Sequence, residues 1–343
     1  MTLEPAYELT VGNQRWTAQA VTIVLELAPA PSLNVLTVGF PARAPLDAGP
    51  DDDVSLVLDG GEGDQTVFTG TVESIARTDR TITLRALDGG GALAAFRPAV
   101  TFEQATAGSV IQGLCDDAGV DTGSIEDGPT LTYYAADPSR TALDHVARVA
   151  GWGGATAVVD GDGHLSSRVV DGSQPELALR FGREPVALRQ QRSASRTQAF
   201  TVAGEAGAST PSAPEAVRPT TDFFAGDRPE GPSASVRWSF EPALRTPEGA
   251  ATAGAAQGRL YASARHRSDL TAWLLPALRP GTVLSFEDVP DGLARGPFWV
   301  ERVRHSLHPA DGGVTRARLS EGGESFGPGS LLAALAGAIG GLL

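Results

Sequence analysis

Two stretches of the chain share one pattern of alternating apolar and polar residues. The first covers residues 54–87 and the second covers residues 282–319. Gly- and Asp-rich turns separate the alternating runs in both stretches. Alternation with a period of two is typical of antiparallel strands that bury one face, so each stretch predicts a meander of strands.

The middle strands of the two meanders match in sequence. The run VESI at 72–75 aligns without a gap on the run VERV at 300–303. A phenylalanine stands early in each middle strand, Phe68 in one and Phe298 in the other, although these two do not coincide in that alignment. The hypothesis is one strand-turn-strand unit present twice, and the alternative is a chance likeness between two unrelated meanders.

Residues 1–100 are predicted to form one small antiparallel β-barrel. Many short strands and frequent turns agree with a content of 41 Gly and 24 Pro. Strands from 177–202 would complete this barrel. The further alternating runs that precede the first meander lie at 8–11, 16–27 and 33–40.

A second, similar barrel is predicted over residues 171–325. It would contain the second meander, a helix at 250–268 and a long loop at 203–235, which is rich in Ala, Gly, Ser and Pro. The predicted fold class is therefore β-rich α+β: two similar small antiparallel β-barrels in one chain, with an α/β insert between them.

The insert is predicted over residues 101–170, where the apolar spacing becomes helical. Gly119 is the expected stop of its first helix. Cys115 lies on that helix and is expected to be a buried structural thiol. As it is the only cysteine, a disulfide within the chain and a multi-thiolate zinc site are excluded. The apolar stripe of this helix consists of Val110, Ile111, Leu114 and Ala118.

A second helix of the insert is expected to begin near Pro138. Either Asp137 or Ser139 would be its N-cap, because short polar side chains accept hydrogen bonds from the first helical amides. The glycines at 151–154 would end it. A β-hairpin with an Asp-Gly turn is predicted next, at 157–165.

Length and charge bound the class of protein. With 343 residues and 41% apolar content, the chain is globular and long enough for two or three domains. Its net charge of −14 argues against a broad nucleic-acid-binding surface, because phosphate binding needs a basic patch. All 27 basic residues are arginine, which indicates codon bias or, as the alternative, selection for arginines at interfaces.

The two ends of the sequence carry different information. The first residues lack the basic and apolar segments of a secretory signal, so a protein acting outside the cell would leave by lysis or within a larger particle. Residues 326–343 form an apolar tail that is shorter than the roughly 20 residues of a membrane span. Docking on a subunit or partner is expected, with membrane contact as the alternative. The candidate interface residues are Leu331, Leu332, Leu335, Ile339, Leu342 and Leu343.

Motifs that could carry catalysis or bind metal are incomplete. GESFG matches a nucleophile elbow around Ser325, but no acid or histidine follows it. DGDGH at 160–164 resembles the start of a calcium loop but continues without the required glutamate, so a hairpin turn is predicted. His305 and His308 lack a third ligand, and His145 is expected to face solvent. No cofactor, metal or enzymatic activity is expected.

Several stretches together resemble the phage late control protein D family, the baseplate hub proteins of contractile tails, contractile injection systems and type VI spikes. The likeness covers most of the chain and rests on the order of the motifs rather than on any single residue. These stretches are FTGTVESI at 68–75, the segment 133–151, VVDGDGHL at 158–165 and FWVERVRHSLHPADGGVTRARL at 298–319.

The resemblance implies a homotrimer without catalytic residues. Three chains with two barrels each would form a pseudo-sixfold ring that joins a hexameric tail tube to a trimeric spike. The spike would be a separate protein, since the chain stops at Leu343. Tube-initiator, tape measure and baseplate wedge proteins are further expected partners, without specific nucleic-acid binding or stable membrane insertion. The expected location is the baseplate of a virion or contractile particle, assembled in the bacterial cytoplasm.

A different class of function stays open at this point: a β-rich hydrolase of the tail, or a carbohydrate-binding tail module. Such a protein needs a carboxylate pair or an aromatic platform in a groove. Aromatic residues make up 6% of the chain and are scattered, which disfavours sugar stacking.

Overall fold

The computed structural model describes residues 6–170, 172, 174–193, 199–204, 236–263, 266–308 and 312–321. Strands dominate these residues, which also contain four helices, and the β-rich α+β class is confirmed. Most of the predicted loop, 205–235, and the apolar tail, 326–343, lie outside the described residues.

The N-terminal residues form an antiparallel set of strands around a buried core. Alternate side chains point into that core, as the period of two predicts. The strands are β1 (Ala6–Val11), β2 (Gln14–Trp16), β3 (Thr22–Leu27), β4 (Val35–Pro41), β5 (Asp53–Asp59), β6 (Asp64–Arg77) and β7 (Thr81–Leu87). They are ordered β3-β4-β7-β6-β5-β1-β2 in the sheet.

The insert has a core of its own, formed where three helices pack against short strands. Its elements are α1 (Gly89–Ala95), β8 (Val100–Thr106), α2 (Ala107–Ala118), β9 (Thr122–Ile125), β10 (Thr130–Ala136), α3 (Ala142–Gly153), β11 (Ala155–Val159) and β12 (Leu165–Val169). Gly119 ends α2 at a φ of 69°, a left-handed conformation that glycine adopts without strain, so the predicted stop is confirmed. Cys115 is buried, as predicted.

Helix α3 begins later than predicted. The expectation of Asp137 or Ser139 as its N-cap is wrong, because Thr141 caps the helix and forms a capping box with Asp144. Those two residues satisfy each other's free amides, which fixes the first turn. Asp137 closes the preceding turn instead, where its carboxylate accepts a hydrogen bond from the Ser139 amide at 3.0 Å.

The C-terminal part of the chain adds a second set of strands. They are β13 (Leu177–Arg180), β14 (Pro185–Arg192), β15 (Ala199–Gly204) and β16 (Val236–Glu241), followed after α4 (Pro247–Ser263) by β17 (His266–Trp273), β18 (Val283–Glu287), β19 (Phe298–His308) and β20 (Gly312–Glu321). The main order is β14-β17-β20-β19-β18-β13, and β15 pairs separately with β16.

Two expectations for this part of the chain are wrong. Strands from 177–202 do not complete the first barrel, since β13 pairs with β18, β14 with β17 and β15 with β16. The segment from β15 to α4 was expected to belong to the second barrel. It packs instead on the insert, whose core includes Val202, Leu244 and Ala253. The Arg148 guanidinium of α3 lies 2.5 Å from the Glu241 carboxylate of β16, and this ion pair links the segment to the insert.

The main sheet is continuous across both sets and has 13 strands. Residues 303–307 of β19 pair with residues 23–27 of β3. Two separate closed barrels are not found in the described part of the chain; the sets are joined edge to edge instead. The two sets are joined because β19 is long enough to pair with two strands along one edge. Its residues 298–299 pair with β18, and its residues 303–307 pair with β3.

The two sets repeat one topology. The order β1-β5-β6-β7-β4-β3 corresponds to the order β13-β18-β19-β20-β17-β14, and matching strands also follow each other in the same sequence along the chain. We call the first set the first repeat and the second set the second repeat. They differ at one strand, because β1 is antiparallel to β5 whereas β13 is parallel to β18.

The alignment of VESI on VERV also holds in the structure. Glu73 is the extra residue of a β-bulge in β6, and Glu301 is the extra residue of a bulge in β19. A bulge bends its strand and increases the local twist, so an equal position gives both middle strands the same bend.

Candidate interaction surfaces

The seam between β19 and β3 shows how one repeat attaches to the next. Arg304 lies 3.2 Å from the Glu26 carboxylate, and Arg302 donates to the Ser32 hydroxyl at 3.1 Å. Half-exposed ion pairs of this kind contribute little to stability. The seam therefore rests on its backbone ladder and on apolar residues beneath it, of which Leu25 and Val303 are buried.

The edges that correspond to this seam lie open elsewhere on the sheet. Residues 75–77 of β6 correspond to residues 303–305 in the paired segment of β19, and no described strand pairs with their outer edge. Strand β14 corresponds to β3 and ends the main sheet as far as it is described. Exposed strand edges are templates for pairing with another chain.

Arg279 connects both repeats with the insert. Its guanidinium donates to the carbonyl oxygen of Thr66 in β6. Burial lowers the pKa of Arg279, while Asp160 and Asp162 in the hairpin turn of the insert act in the opposite direction. A Cβ on Gly161 would overlap the Thr66 oxygen and the guanidinium, so glycine is required at this contact.

The predicted hairpin turn is confirmed between β11 and β12. The Asp160 carboxylate accepts hydrogen bonds from the amides of Asp162 and His164, both at 3.0 Å. This carboxylate closes the turn, and its negative charge acts on Arg279. Within the described ranges, no group of three or more His, Cys, Asp and Glu residues is placed to hold a metal ion.

Asp88 and Asn34 link the first repeat to the insert. Asp88 caps α1 by accepting from the Gly90 amide, and its second oxygen accepts from the Asn34 amide at 2.6 Å. Asn34 also donates to the Val159 carbonyl at 3.3 Å. Burial raises the pKa of Asp88 to about 6, against the opposing effect of the Asn34 hydrogen bond.

His145 does not face solvent, so that expectation is wrong. Its side chain is fully buried, with Nδ1 2.5 Å from the Tyr134 hydroxyl and Nε2 3.0 Å from the Asp137 carbonyl oxygen. The carbonyl can only accept, so Nε2 donates to it and Nδ1 accepts from Tyr134. Burial raises the pKa of Tyr134 to about 12. This network fixes α3 against β10.

His305 is also fully buried, beneath the second repeat. Its Nδ1 lies 2.9 Å from the Thr315 hydroxyl, which accepts a hydrogen bond from the Leu275 amide at 2.8 Å. Burial lowers the pKa of His305 to about 4, and the nearby charge of Arg279 acts in the same direction.

Four exposed arginines cover the face of the second repeat above His305. Arg302 stands directly opposite Arg318, and Arg304 stands opposite Arg316, on the neighbouring strands β19 and β20. They line a shallow groove of about 480 Å³ together with the carboxylates of Glu26 and Asp269. We call these four residues the arginine face.

Sequence reasoning did not single out the arginine face, although a signal was present. Arginines stand two residues apart at 302 and 304, and again at 316 and 318. In strands, such spacing puts each pair on one face of the sheet. That the two pairs would meet depended on the register between β19 and β20.

The remaining candidates cannot be placed. Ser325 and all candidate interface residues of the tail lie outside the described residues, namely Leu331, Leu332, Leu335, Ile339, Leu342 and Leu343. No helix in the described part of the chain is long and apolar enough to cross a membrane.

No protein-family model and no curated protein matches this sequence. Solved structures do match it. The 43 kDa tail protein of prophage MuSo2 from Shewanella oneidensis is 16% identical, with a TM-score of 0.67 over 94% of this chain and 99% of that chain. A tail protein from Neisseria meningitidis MC58 is also 16% identical, with a TM-score of 0.70 over 94% and 98% of the two chains.

A third structure extends the comparison to another apparatus. The c3393 protein of E. coli, a component of the type VI secretion system, is 10% identical, with a TM-score of 0.59 over 91% of this chain and 76% of that chain. At these identities the likeness is one of fold. The resemblance is thus confirmed at the level of the fold, and this chain has the architecture of phage tail proteins and of a type VI secretion component.

Proposed function

We propose that this chain is the structural hub of a baseplate, in a contractile tail or a related injection system, and that it acts without catalysis. Three copies form a ring that contains six copies of the repeat. The ring joins a hexameric tail tube to a trimeric spike. Tube-initiator, tape measure and wedge proteins are further proposed neighbours, and the location is the tail baseplate.

The seam within one chain carries this proposal. It joins the second repeat to the first through β19 and β3, and the corresponding edges of β6 and β14 are open. When β14 of one chain pairs with β6 of the next, every junction has the geometry of the internal seam. Such a head-to-tail contact is heterologous, and it closes into a ring when the rotation per unit divides a full turn.

The apolar tail is proposed to pack in an interface of this assembly. Its candidate residues are those named above, from Leu331 to Leu343. Deletion of residues 330–343 should therefore weaken trimer formation or spike binding, as seen by light scattering or by co-purification with the spike. Unchanged assembly and unchanged spike binding would remove the tail from the interface.

The proposed ring is tested by measuring mass and symmetry. Light scattering of the purified chain, at the concentration used for assembly, should give three times the 35.4 kDa of one chain. Class averages in negative stain should show a ring with six similar lobes. A monomer that no spike partner converts to a trimer would contradict the proposal.

A further inference from the structure

The arginine face has more positive charge than the sheet itself explains. Like charges placed directly opposite each other on neighbouring strands are destabilising. Here Arg302 faces Arg318 and Arg304 faces Arg316, and two carboxylates lie among the four guanidinium groups. Asp269 stands 3.6 Å from Arg318, and both are more than half exposed. In a chain with a net charge of −14, such a cluster needs a reason outside the fold.

The first repeat supplies an internal control. In its register, Ser74 stands opposite Arg85 and Ala76 opposite Thr83, at the places where the second repeat has its two arginine pairs. These four residues are exposed as well. The same sheet therefore forms with a single arginine at these positions, and three of the four arginines are specific to the second repeat.

We propose that the arginine face binds carboxylates on a threefold-symmetric protein partner of the ring. This inference rests on the trimeric ring proposed above. In that ring, arginine faces alternate with nearly neutral faces, so the charge pattern has threefold symmetry although the sheet has six similar units. A hexameric partner would meet both faces equally, whereas a trimeric partner can contact the three arginine faces alone.

The chemistry of the face favours carboxylates over nucleic acid. Guanidinium groups bind carboxylates through two parallel hydrogen bonds, and Glu26 and Asp269 already show carboxylates seated among these arginines. The backbone of nucleic acid has no threefold symmetry to match the pattern.

A trivalent acidic probe tests the inference on the full-length chain. The probe is a hexaglutamate peptide fused to a trimerising domain, compared with the same peptide as a monomer and with a DNA duplex, by fluorescence anisotropy. The test variant carries Arg302→Ser, Arg304→Ala and Arg316→Thr, which are the residues of the first repeat. The charge-matched control carries Arg15→Ser, Arg80→Ala and Arg183→Thr, all on exposed side chains elsewhere.

The trivalent probe should bind the wild-type ring at least about tenfold tighter than the monomeric peptide, because the second and third contacts become intramolecular. The test variant should lose this binding by about tenfold or more, and the control should keep it. Equal binding by test variant and control would overturn the inference, as would preference for the DNA duplex. In a confirmed trimer, equal affinity for trivalent and monomeric probe would overturn the threefold match.

Separate measurements distinguish a failure to form the ring from a failure of the arginine face to bind. Light scattering of each variant without probe reports the oligomeric state, and thermal unfolding reports the fold. A chain that is monomeric contradicts the proposed function, whatever the peptide does. A trimer whose arginine face is indifferent to the probe contradicts only the present inference.

Discussion

His305 and Asp88 are both buried, and their pKa values are shifted in opposite directions. The pKa of His305 falls to about 4, so the unfolded chain binds this proton first, and stability is lost as the pH falls from about 6.5 to 4. The pKa of Asp88 rises to about 6. The folded state then holds the proton more tightly, and this stabilisation is lost as the pH rises from about 4 to 6. The two contributions oppose each other in weakly acidic solution.

Replacing His305 should reveal how much this residue contributes to the pH dependence of stability. Relative to wild type, His305→Gln is expected to gain about 2 kcal/mol in its free energy of unfolding at pH 5 compared with pH 7, because no buried imidazole remains to be charged on unfolding. Urea unfolding at the two pH values measures this difference. An identical pH dependence in variant and wild type would show that His305 titrates normally.

Asp88→Asn should change the pH dependence the other way. The variant cannot take up the proton that stabilises the folded state, so it should lose about 1 kcal/mol at pH 5 compared with pH 7, relative to wild type. The same urea series serves. Since the amide also removes an acceptor for Asn34, both pH values will show some destabilisation, and only the difference between them is diagnostic.

At the scale of elements, strands were predictable and some helices were not. Strands such as β3 and β4 alternate clearly, and a local pattern suffices to predict them. Helix α1 was missed because its sequence GGGALAA has a weak helix propensity. Its N-cap Asp88 acts locally, whereas the burial of Leu93, which also stabilises the helix, arises only when the insert packs.

The turn around Gly161 offers a test of how the insert is held. Gly161→Ala should destabilise the chain by about 1–3 kcal/mol, since the added methyl group overlaps the Thr66 oxygen and displaces Arg279. Thermal unfolding measures the effect. The matched control is Gly151→Ala in α3, where a Cβ meets no atom within 4 Å, and there alanine should be neutral or slightly stabilising. Equal effects at the two sites would contradict the close contact.

At the scale of the whole molecule, the internal seam predicts the register between chains. Arg304 stands opposite Glu26 at the seam, and the strand correspondence puts Ala76 in the place of Arg304 and Gln191 in the place of Glu26. These two residues should therefore face each other across the junction of neighbouring chains in the proposed ring.

A cysteine pair tests this register. Ala76→Cys with Gln191→Cys should give a covalent trimer under mild oxidation, seen on a non-reducing gel, because a closed ring crosslinks three chains and stops. The single variants should stay monomeric on that gel, and the native Cys115 is buried and does not compete. Absence of crosslinking, or an open ladder of larger species, would show that the chains meet in another way.

Alternation and turn residues are local properties, so the sequence sufficed to predict most of the strands and turns and to indicate a duplicated unit. The bulges at aligned positions of β6 and β19 were found only in the structure. The sequence also placed the helices of the insert, except for α1 and the start of α3. Two features follow from the tertiary fold alone: both repeats share one sheet, and two pairs of arginines meet on it. Leu27 of β3 pairs with Val303 of β19 because both strands have an unpaired edge after the local strands have formed. No local sequence pattern encodes which edges remain unpaired.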